Sequence, residues 1–242
     1  MNVVKLLRVN RLPILQQLRL EEALLRADQG NWCVINDGTP DTSVVMGISG
    51  KVSSLVNAKE AKRDNIPVIK RFSGGGTVVV DQDTIFATLI LNSAAVPSVP
   101  CFPGHIMDWS ETFYKHAFRE TAEYALREND YVLGERKFGG NAQSITKNRW
   151  LHHTSFLWDF PEKNMAYLKH PPKAPKYRQG RAHGEFLTTL KQHLDSRENF
   201  LQGLEDCLEV SGFVPHKVEL KDAQQLLSYE YLKSTKLVDL EE

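Results

Sequence analysis

Apolar positions recur along this chain at two periods, and the switches between them mark its elements. Alternating or continuous apolar runs predict strands over 3–9, 32–36, 44–46 and 66–69. After two cations and a glycine run, further strands are expected over 77–80 and 85–91, then over 131–133 and 150–158. Turn residues separate them at Asp37-Gly38-Thr39-Pro40, Gly134-Glu135 and Lys147-Asn148. Pro13 opens a stretch of helical spacing with Ile14, Leu15, Leu18, Leu24 and Leu25 on one stripe. Asn57 is placed to cap a helix through Lys62. A long helix is expected over 108–127, with Trp109, Phe113, Ala117, Phe118 and Tyr124 on its core side. Helical spacing returns over 186–194. Ser196 is placed to cap a last long helix through Val210, which Gly212 ends. Residues 217–242 are amphipathic and charged, so the C-terminal part reads as mostly helix. No internal repeat, low-complexity segment or linker interrupts the pattern, which reads as one domain over 1–242.

The stretch 69–92, IKRFSGGGTVVVDQDTIFATLILN, stands out. Three consecutive glycines between strands are costly, because glycine loses the most backbone entropy on folding. Such a run fits a backbone with positive φ, or one that a ligand presses upon. Bare N–H groups there form an anion-binding concavity, and Arg71 adds a permanent planar charge. A structural hairpin with a glycine bulge explains the glycines equally well. A strand follows the run, so it is neither the GK[ST] phosphate loop nor a dinucleotide fingerprint.

A second glycine pair lies in Lys137-Phe138-Gly139-Gly140-Asn141-Ala142. The order is strand, lysine, glycines, strand. Lys137 is then either a point charge for an anion or a solvated lysine at a turn. His152 and His153 are adjacent in a strand, so they point to opposite faces and do not share a metal ion. The basic, proline-rich stretch 167–184 is either a solvated linker or a lid carrying Lys176, Arg178 and Arg181 over an anion.

Composition narrows the classes. Apolar content of 41% and charged content of 25% are those of a globular domain. Thirty basic residues balance thirty acidic ones, which gives no electrostatic reason to expect nucleic acid or an anionic membrane. Three distant cysteines (Cys33, Cys101, Cys207) make no disulfide framework and fit a reducing compartment. No apolar run approaches the roughly 18–20 residues of a membrane helix. Lys5, Arg8, Arg11 and Arg19 superficially suit a mitochondrial presequence, but the strand and helix patterns there read as parts of the fold. The cytoplasm or the mitochondrial matrix is the expected location.

Taken together, these blocks resemble the lipoate–protein ligase family over about residues 3–237. The family signature is a basic pair followed by S-G-G-G-x-V-x-H-D, read here as Lys70-Arg71-Phe72-Ser73-Gly74-Gly75-Gly76-Thr77-Val78-Val79-Val80-Asp81. Its N-D and G-x-K-x-x-G-x-A motifs are similar to Asn129-Asp130 and to Glu135 through Ala142. Its H-H-[GT]-[ST] strand is similar to His152-His153-Thr154-Ser155. Leu20-Glu21-Glu22-Ala23-Leu24 and Val44-Val45-Met46-Gly47 also match. Val80 departs from the pattern, standing where the family usually has histidine. The C-terminal accessory domain of longer bacterial ligases is not expected here. The cysteine nucleophile of the related octanoyl transferases has no counterpart within 156–184 or 102–136.

The resemblance implies an α+β fold with mixed, largely antiparallel sheets flanked by helices, of the class II aminoacyl-tRNA synthetase and biotin ligase type. It implies attachment of lipoate to a lysine of a carrier domain through a lipoyl adenylate, with ATP and Mg2+. The alternatives are a lipoyl or octanoyl transferase needing a partner or preformed acyl-AMP, and a non-catalytic acyl- or carrier-binding relative. The implied partners are lipoyl domains of 2-oxoacid dehydrogenases or the glycine cleavage H protein, and, for the alternative that needs a partner, a separate accessory chain. Lys137 is the implied catalytic residue. The implied substrate and adenylate contacts are Arg71, Ser73, Gly74, Gly75, Gly76, Thr77, Asp81, Asn129, Asp130, Gly139, Gly140, Asn141, Ala142, His153 and Thr154. No protein metal ligand is assigned. Val44, Phe72, Val78 and Phe138 are expected to line an acyl tunnel.

Overall fold

The alternation along the chain folds into two sheets. The computed structural model describes residues 2–121, 123–171 and 174–240. In chain order its elements are β1 (Asn2–Asn10), α1 (Ile14–Ala27), β2 (Trp32–Asp37), β3 (Ser43–Met46), α2 (Val52–Leu55), α3 (Ala58–Arg63), β4 (Val68–Lys70), β5 (Thr77–Val80) and β6 (Thr84–Asn92). Then follow α4 (Pro103–Tyr114), β7 (Tyr124–Arg127), β8 (Asp130–Leu133), β9 (Arg136–Ile145), β10 (Arg149–Leu157), α5 (His183–Phe186), α6 (Arg197–Val210), β11 (Phe213–Lys217), α7 (Leu220–Gln224) and β12 (Lys236–Leu237).

The larger sheet has eight strands in the order β11-β1-β2-β6-β10-β9-β8-β7, and the smaller has four in the order β12-β4-β3-β5. β1 runs parallel to β2 and β11, and β3 runs parallel to β4; the other pairings are antiparallel. The expected α+β class with largely antiparallel sheets holds.

Side chains alternate across each strand, so the larger sheet has two different faces. One face carries Tyr131, Phe138, Trp150 and Phe156 into an aromatic core with Phe113, Tyr114 and Phe118, and with Phe200 of α6. Burying each such ring contributes about 2 kcal/mol. The other face meets α1. Leu20, Leu24 and Leu25 pack there on Trp32, Val34, Ile90 and Leu151. Ile14 and Leu18, from the first turns of α1, pack on Phe86 together with Val45, Ile69 and Val80 of the smaller sheet. The smaller sheet thus sits over the α1 face. That arrangement brings the loop between β4 and β5 above the middle of the larger sheet.

Four expectations fail locally. The helix expected over 108–127 is α4, which starts at Pro103 and ends at Tyr114. Phe118 then lies in turns, and Tyr124 begins a strand paired with β8. These aromatics do reach the same core, but from three kinds of backbone, so their spacing imitated one helix. The helix expected over 186–194 is only the short α5 and a 3-10 turn over Leu190–Gln192. Between them Leu187 bridges to Lys137, and the Thr188 amide donates to the Lys137 carbonyl at 2.9 Å, which draws the chain straight. The C-terminal part is not mostly helix either, since β11 and β12 each complete a sheet edge. Asn57 precedes α3 without capping it; its amide instead donates to the Ala166 carbonyl. Ser196 does cap α6, accepting from the Asn199 amide at 3.3 Å.

Candidate active site

The glycine run is a loop laid along an open strand edge. β8 pairs with β9 only over Arg136, Lys137 and Gly139, so the rest of β9 has no strand on that side. The loop covers this edge, with the Gly74 amide donating to the Gln143 carbonyl at 3.1 Å. Gly75 has φ +110, a conformation that favours glycine. A Cβ there would sit 2.7 Å from Arg71 Nη2 and 2.9 Å from the Asn141 carbonyl oxygen. Arg71 lies inside the loop. Its Nη2 donates to the carbonyls of Gly74 and Gly76, both at 2.9 Å. Burial lowers its pKa to about 10, opposed by the charge of Glu21. The guanidinium therefore organises the loop carbonyls.

Lys137 reaches the same place through a β-bulge. The register between β8 and β9 slips between Tyr131 and Val132, opposite Phe138. Phe138 joins Phe156 in the aromatic core, and a Cβ on Gly139 would meet Tyr131 and Phe156 there too. Two consecutive residues thus face one side. Lys137 and Gly140, three apart, share the opposite side, which regular alternation forbids. Lys137 Nζ would lie 3.5 Å from a Cβ on Gly140, and Ser155 Oγ 3.6 Å. Glycine at 140 keeps the backbone bare beside the ammonium.

The lysine is not solvated at a turn. Its Nζ pairs with Asp130 Oδ1 at 2.7 Å. Tyr177 Oη donates to the other oxygen, Oδ2, at 2.9 Å. Burial and this carboxylate push the Tyr177 pKa up, so the hydroxyl keeps its proton. Tyr177 belongs to the stretch 167–184, of which 172 and 173 lie outside the described residues. It is buried, its amide donates to Glu128 Oε1, and Arg127 lies over its ring. Arg178 and Arg181 hold each other's carbonyls, and both lie over Phe186. Residues 177–181 are thus anchored to the sheet and to Phe186, not a solvated linker. His183 has its pKa lowered by burial, then by Arg178, His170 and Lys137, which marks a cationic border around the lysine.

The two histidines of β10 part as expected. His152 faces the aromatic core. Its Nε2 meets Tyr131 Oη at 3.1 Å and its Nδ1 meets the Gln143 amide at 3.1 Å. Burial lowers its pKa to about 3, so it is neutral. His153 faces α1, on the same side as Ser155 and Lys137. Its Nδ1 lies 2.9 Å from Glu21 Oε2 and 2.9 Å from Thr88 Oγ1. Glu21 is fully buried and also accepts from Thr88 and Gln17, each at 2.7 Å.

The structure gathers Lys137, Asp130, Gly140, Ala142, His153, Arg71 and the glycine loop on this side of the sheet. Ser73 is buried within the loop, and its carbonyl accepts from the Ile48 amide. Thr77 begins β5 with a buried hydroxyl that has no hydrogen bond among the described residues. Other predicted residues lie elsewhere. Thr154 and the Asn141 side chain bond to each other on the aromatic side, and Asn141 also donates to the Asn129 carbonyl. Asp81 is a turn residue, accepting from Asp83, Thr84 and Asn164. The four expected tunnel residues belong to four different packed clusters. A polar cavity of about 340 Å³ at Asn10, Arg11, Asp37, Gln82, Asp83 and Arg197 shares no residue with this site.

Two contributors escaped the sequence reading. Glu21 falls on the apolar stripe of α1, three residues after Leu18 and four before Leu25, and a carboxylate there signals a buried polar contact. Tyr177 had no signal beyond its place among cations. Among the described residues no three His, Cys, Asp or Glu side chains gather as a metal site.

The family described as "Lipoyl protein ligase A/B catalytic domain" matches residues 13–208. An "Inactive lipoate--protein ligase 2" from Plasmodium falciparum is 27% identical over 249 residues, covering 78% of this chain and 64% of that protein. This chain therefore spans less than two thirds of that relative. Among solved structures, a bi-partite lipoate protein ligase described with its E2 lipoyl domain, from Thermoplasma acidophilum, superposes with TM-score 0.78 at 18% identity, covering 94% of this chain and 90% of the other. Lipoate-protein ligase A bound with ATP gives TM-score 0.74 at 16% identity, covering 93% and 92%. At these identities the structures show a shared fold.

Proposed function

This chain belongs to the lipoyl protein ligase A/B catalytic domain family, and from that membership we propose that it attaches a lipoyl group to a lysine of a lipoyl carrier domain through a lipoyl adenylate. The observation that carries this reading is the placement of Lys137 by the bulge, beside the bare backbone of Gly140, next along β9 to the Asn141 and Ala142 backbone that the glycine loop meets. Adenylation joins a carboxylate to the α-phosphate of ATP as pyrophosphate leaves, and attack of the carrier lysine on the acyl carbonyl then releases AMP. Negative charge develops on carbonyl and phosphate oxygens in both steps. A fixed ammonium and backbone N–H groups aimed at those oxygens are the effect most able to lower both barriers. The acyl chain would run from Lys137 along the sheet towards Ala142 and His153, under the loop. The nucleotide would lie on the lid side, by Tyr177, Arg178 and His183.

Asp130 fits a Mg2+ ion carried in on nucleotide phosphates, since Mg2+ typically takes one or two carboxylates plus phosphate oxygens. When bound, the ion would neutralise phosphate charge. Asp130 would hold the ion, with the Lys137 ammonium beside it to meet substrate oxygens. The E2 lipoyl domain of the archaeal relative supports a carrier domain as acceptor, and the ATP-bound ligase supports ATP as the activating substrate.

A second reading is transfer from lipoyl-AMP made by another chain. It is favoured by the relative named inactive and by the bi-partite archaeal system. Incubation with ATP, Mg2+ and lipoate, followed by mass spectrometry for lipoyl-AMP, separates the two. A lipoyl-AMP peak makes the chain a complete ligase. No peak, but transfer of synthetic lipoyl-AMP to a lipoyl domain, makes it a transferase. Failure of both overturns the catalytic reading.

A further inference from the structure

The aromatic face of the larger sheet, opposite Lys137, carries a buried chain of polar side chains that the proposed chemistry leaves unused. His152 stands at its centre and is fully buried. A buried polar group costs stability unless its donors and acceptors are matched. Here they match in one way only. The Gln143 side-chain amide donates to the Pro103 carbonyl and to His152 Nδ1, so Nδ1 is bare and the hydrogen sits on Nε2. Tyr131 Oη and Thr154 Oγ1 lie 3.1 and 3.2 Å from Nε2, and both accept from it. The Thr154 hydroxyl gives its own hydrogen to Asn141 Oδ1. Ser110 donates to the Met107 carbonyl, so it accepts the hydrogen of Tyr131 at 2.6 Å. An imidazolium would set a second N–H against that of Gln143, and burial holds the ring neutral.

The two nitrogens reach the two halves of the site from behind the sheet. Gln143 faces His152 across β9 and β10, and its main-chain carbonyl accepts from the Gly74 amide. Nδ1 thus fixes the residue on which the glycine loop rests. Tyr131 follows Asp130 in β8 and stands at the register slip that turns Lys137 to the other side. A Cβ on Gly139 would meet Tyr131 Cδ2 at 3.0 Å, so the ring is seated against the bulge. Nε2–H thus fixes the residue on which the aim of the lysine depends. A branch from Thr154 runs through the Asn141 side chain to the Asn129 carbonyl, next to Asp130.

Resting on the function proposed above, we propose that His152 is a positioning residue that holds the glycine loop and the Lys137 bulge in one register, so that loop and ammonium close on the same acyl adenylate. The imidazole is rigid, so the separation of its nitrogens sets the separation of the two halves. Nδ1 serves the loop, and hence binding of the acyl adenylate. Nε2 serves the lysine, and hence the rate.

Each nitrogen can be replaced alone. In His152→Asn the side-chain oxygen stands near the Nδ1 position and still accepts from Gln143, while the donor to Tyr131 is lost. In His152→Gln the amide nitrogen stands near the Nε2 position and still donates to Tyr131, while the acceptor for Gln143 is lost. Transfer from synthetic lipoyl-AMP to a purified lipoyl domain should then split. His152→Asn should lower kcat about tenfold or more, with the smaller change in KM for lipoyl-AMP. His152→Gln should raise that KM about threefold to tenfold and speed hydrogen exchange at the Gly74 amide. Tyr131→Phe keeps the ring and should repeat the kcat loss; it serves if the histidine variants do not fold. The same change in kcat and KM in both histidine variants, or wild-type kinetics in both, would make His152 a packing residue and overturn the proposal. A wild-type chain that transfers nothing overturns the proposed function. Gly74 exchange still decides the coupling in that case: faster in His152→Gln alone upholds it, and equal rates in the two variants overturn it.

Discussion

Tyr177 of the lid and Lys137 of the central sheet hold opposite oxygens of one carboxylate, that of Asp130. The lid and the lysine are therefore mechanically joined, and a change at either is felt by the other. Tyr177→Phe removes a hydrogen bond to a charged group and should destabilise the docked lid by about 1–2 kcal/mol. Limited proteolysis within 174–184 should quicken, and KM for the nucleotide should rise several-fold. Unchanged cleavage of that segment would separate the lid from the lysine.

Lys137→Met should leave the fold intact and reduce adenylation or transfer by about 10²–10³-fold, the usual cost of losing one charge-stabilising donor. The check is kcat with lipoyl-AMP or ATP alongside thermal unfolding. A variant as active as wild type would remove Lys137 from the mechanism.

Gly75→Ala should act through geometry alone. At φ +110 a side chain is strained, and its Cβ would press on Arg71 and the Asn141 carbonyl. A cost of about 1–3 kcal/mol is expected. The loop should lift from β9, seen as faster hydrogen exchange at the Gly74 amide and a raised KM for the acyl substrate.

His152 predicts a pH dependence of stability. The folded chain holds it neutral down to about pH 3, whereas the unfolded chain takes up a proton below about 6.5. Its contribution is complete above pH 6.5 and is lost as pH falls, by up to about 1.4 kcal/mol per unit. Urea unfolding at pH 7.5 and 5.0 should show this loss, and His152→Gln should reduce it. An equal loss in the variant would place the titration elsewhere.

Local signals sufficed wherever one residue type carried the physics. Gly74 to Gly76 marked a loop that only glycine builds at Gly75, and Ser196 marked the start of α6 by its hydroxyl. They failed where tertiary contacts decided. Phe118 and Tyr124 keep helical spacing in the sequence, yet the core receives them from a turn and a strand. The bulge at Phe138 depends on pairing with Tyr131 and Val132, which no window around Lys137 contains. Arg71 read as a charge for an anion because its charge was visible, whereas the loop carbonyls it also holds were not. Thr154 and Asp81 matched motifs by position, but alternation and turn bonding turned them away from the lysine.

The parallel pairing of β1 with β11 sets the schedule on which this molecule is made. Asn2 faces Phe213, so one edge of the first strand waits for nearly the whole chain to be synthesised. At typical ribosomal speeds of about 5–20 residues per second, that edge stays open for roughly 10–40 s. Val3, still half exposed in the finished fold, lies on it. Chaperone dependence during translation should therefore concentrate on the N-terminal strand, and slowing synthesis before residue 213 should lower the yield of soluble protein more than slowing it afterwards.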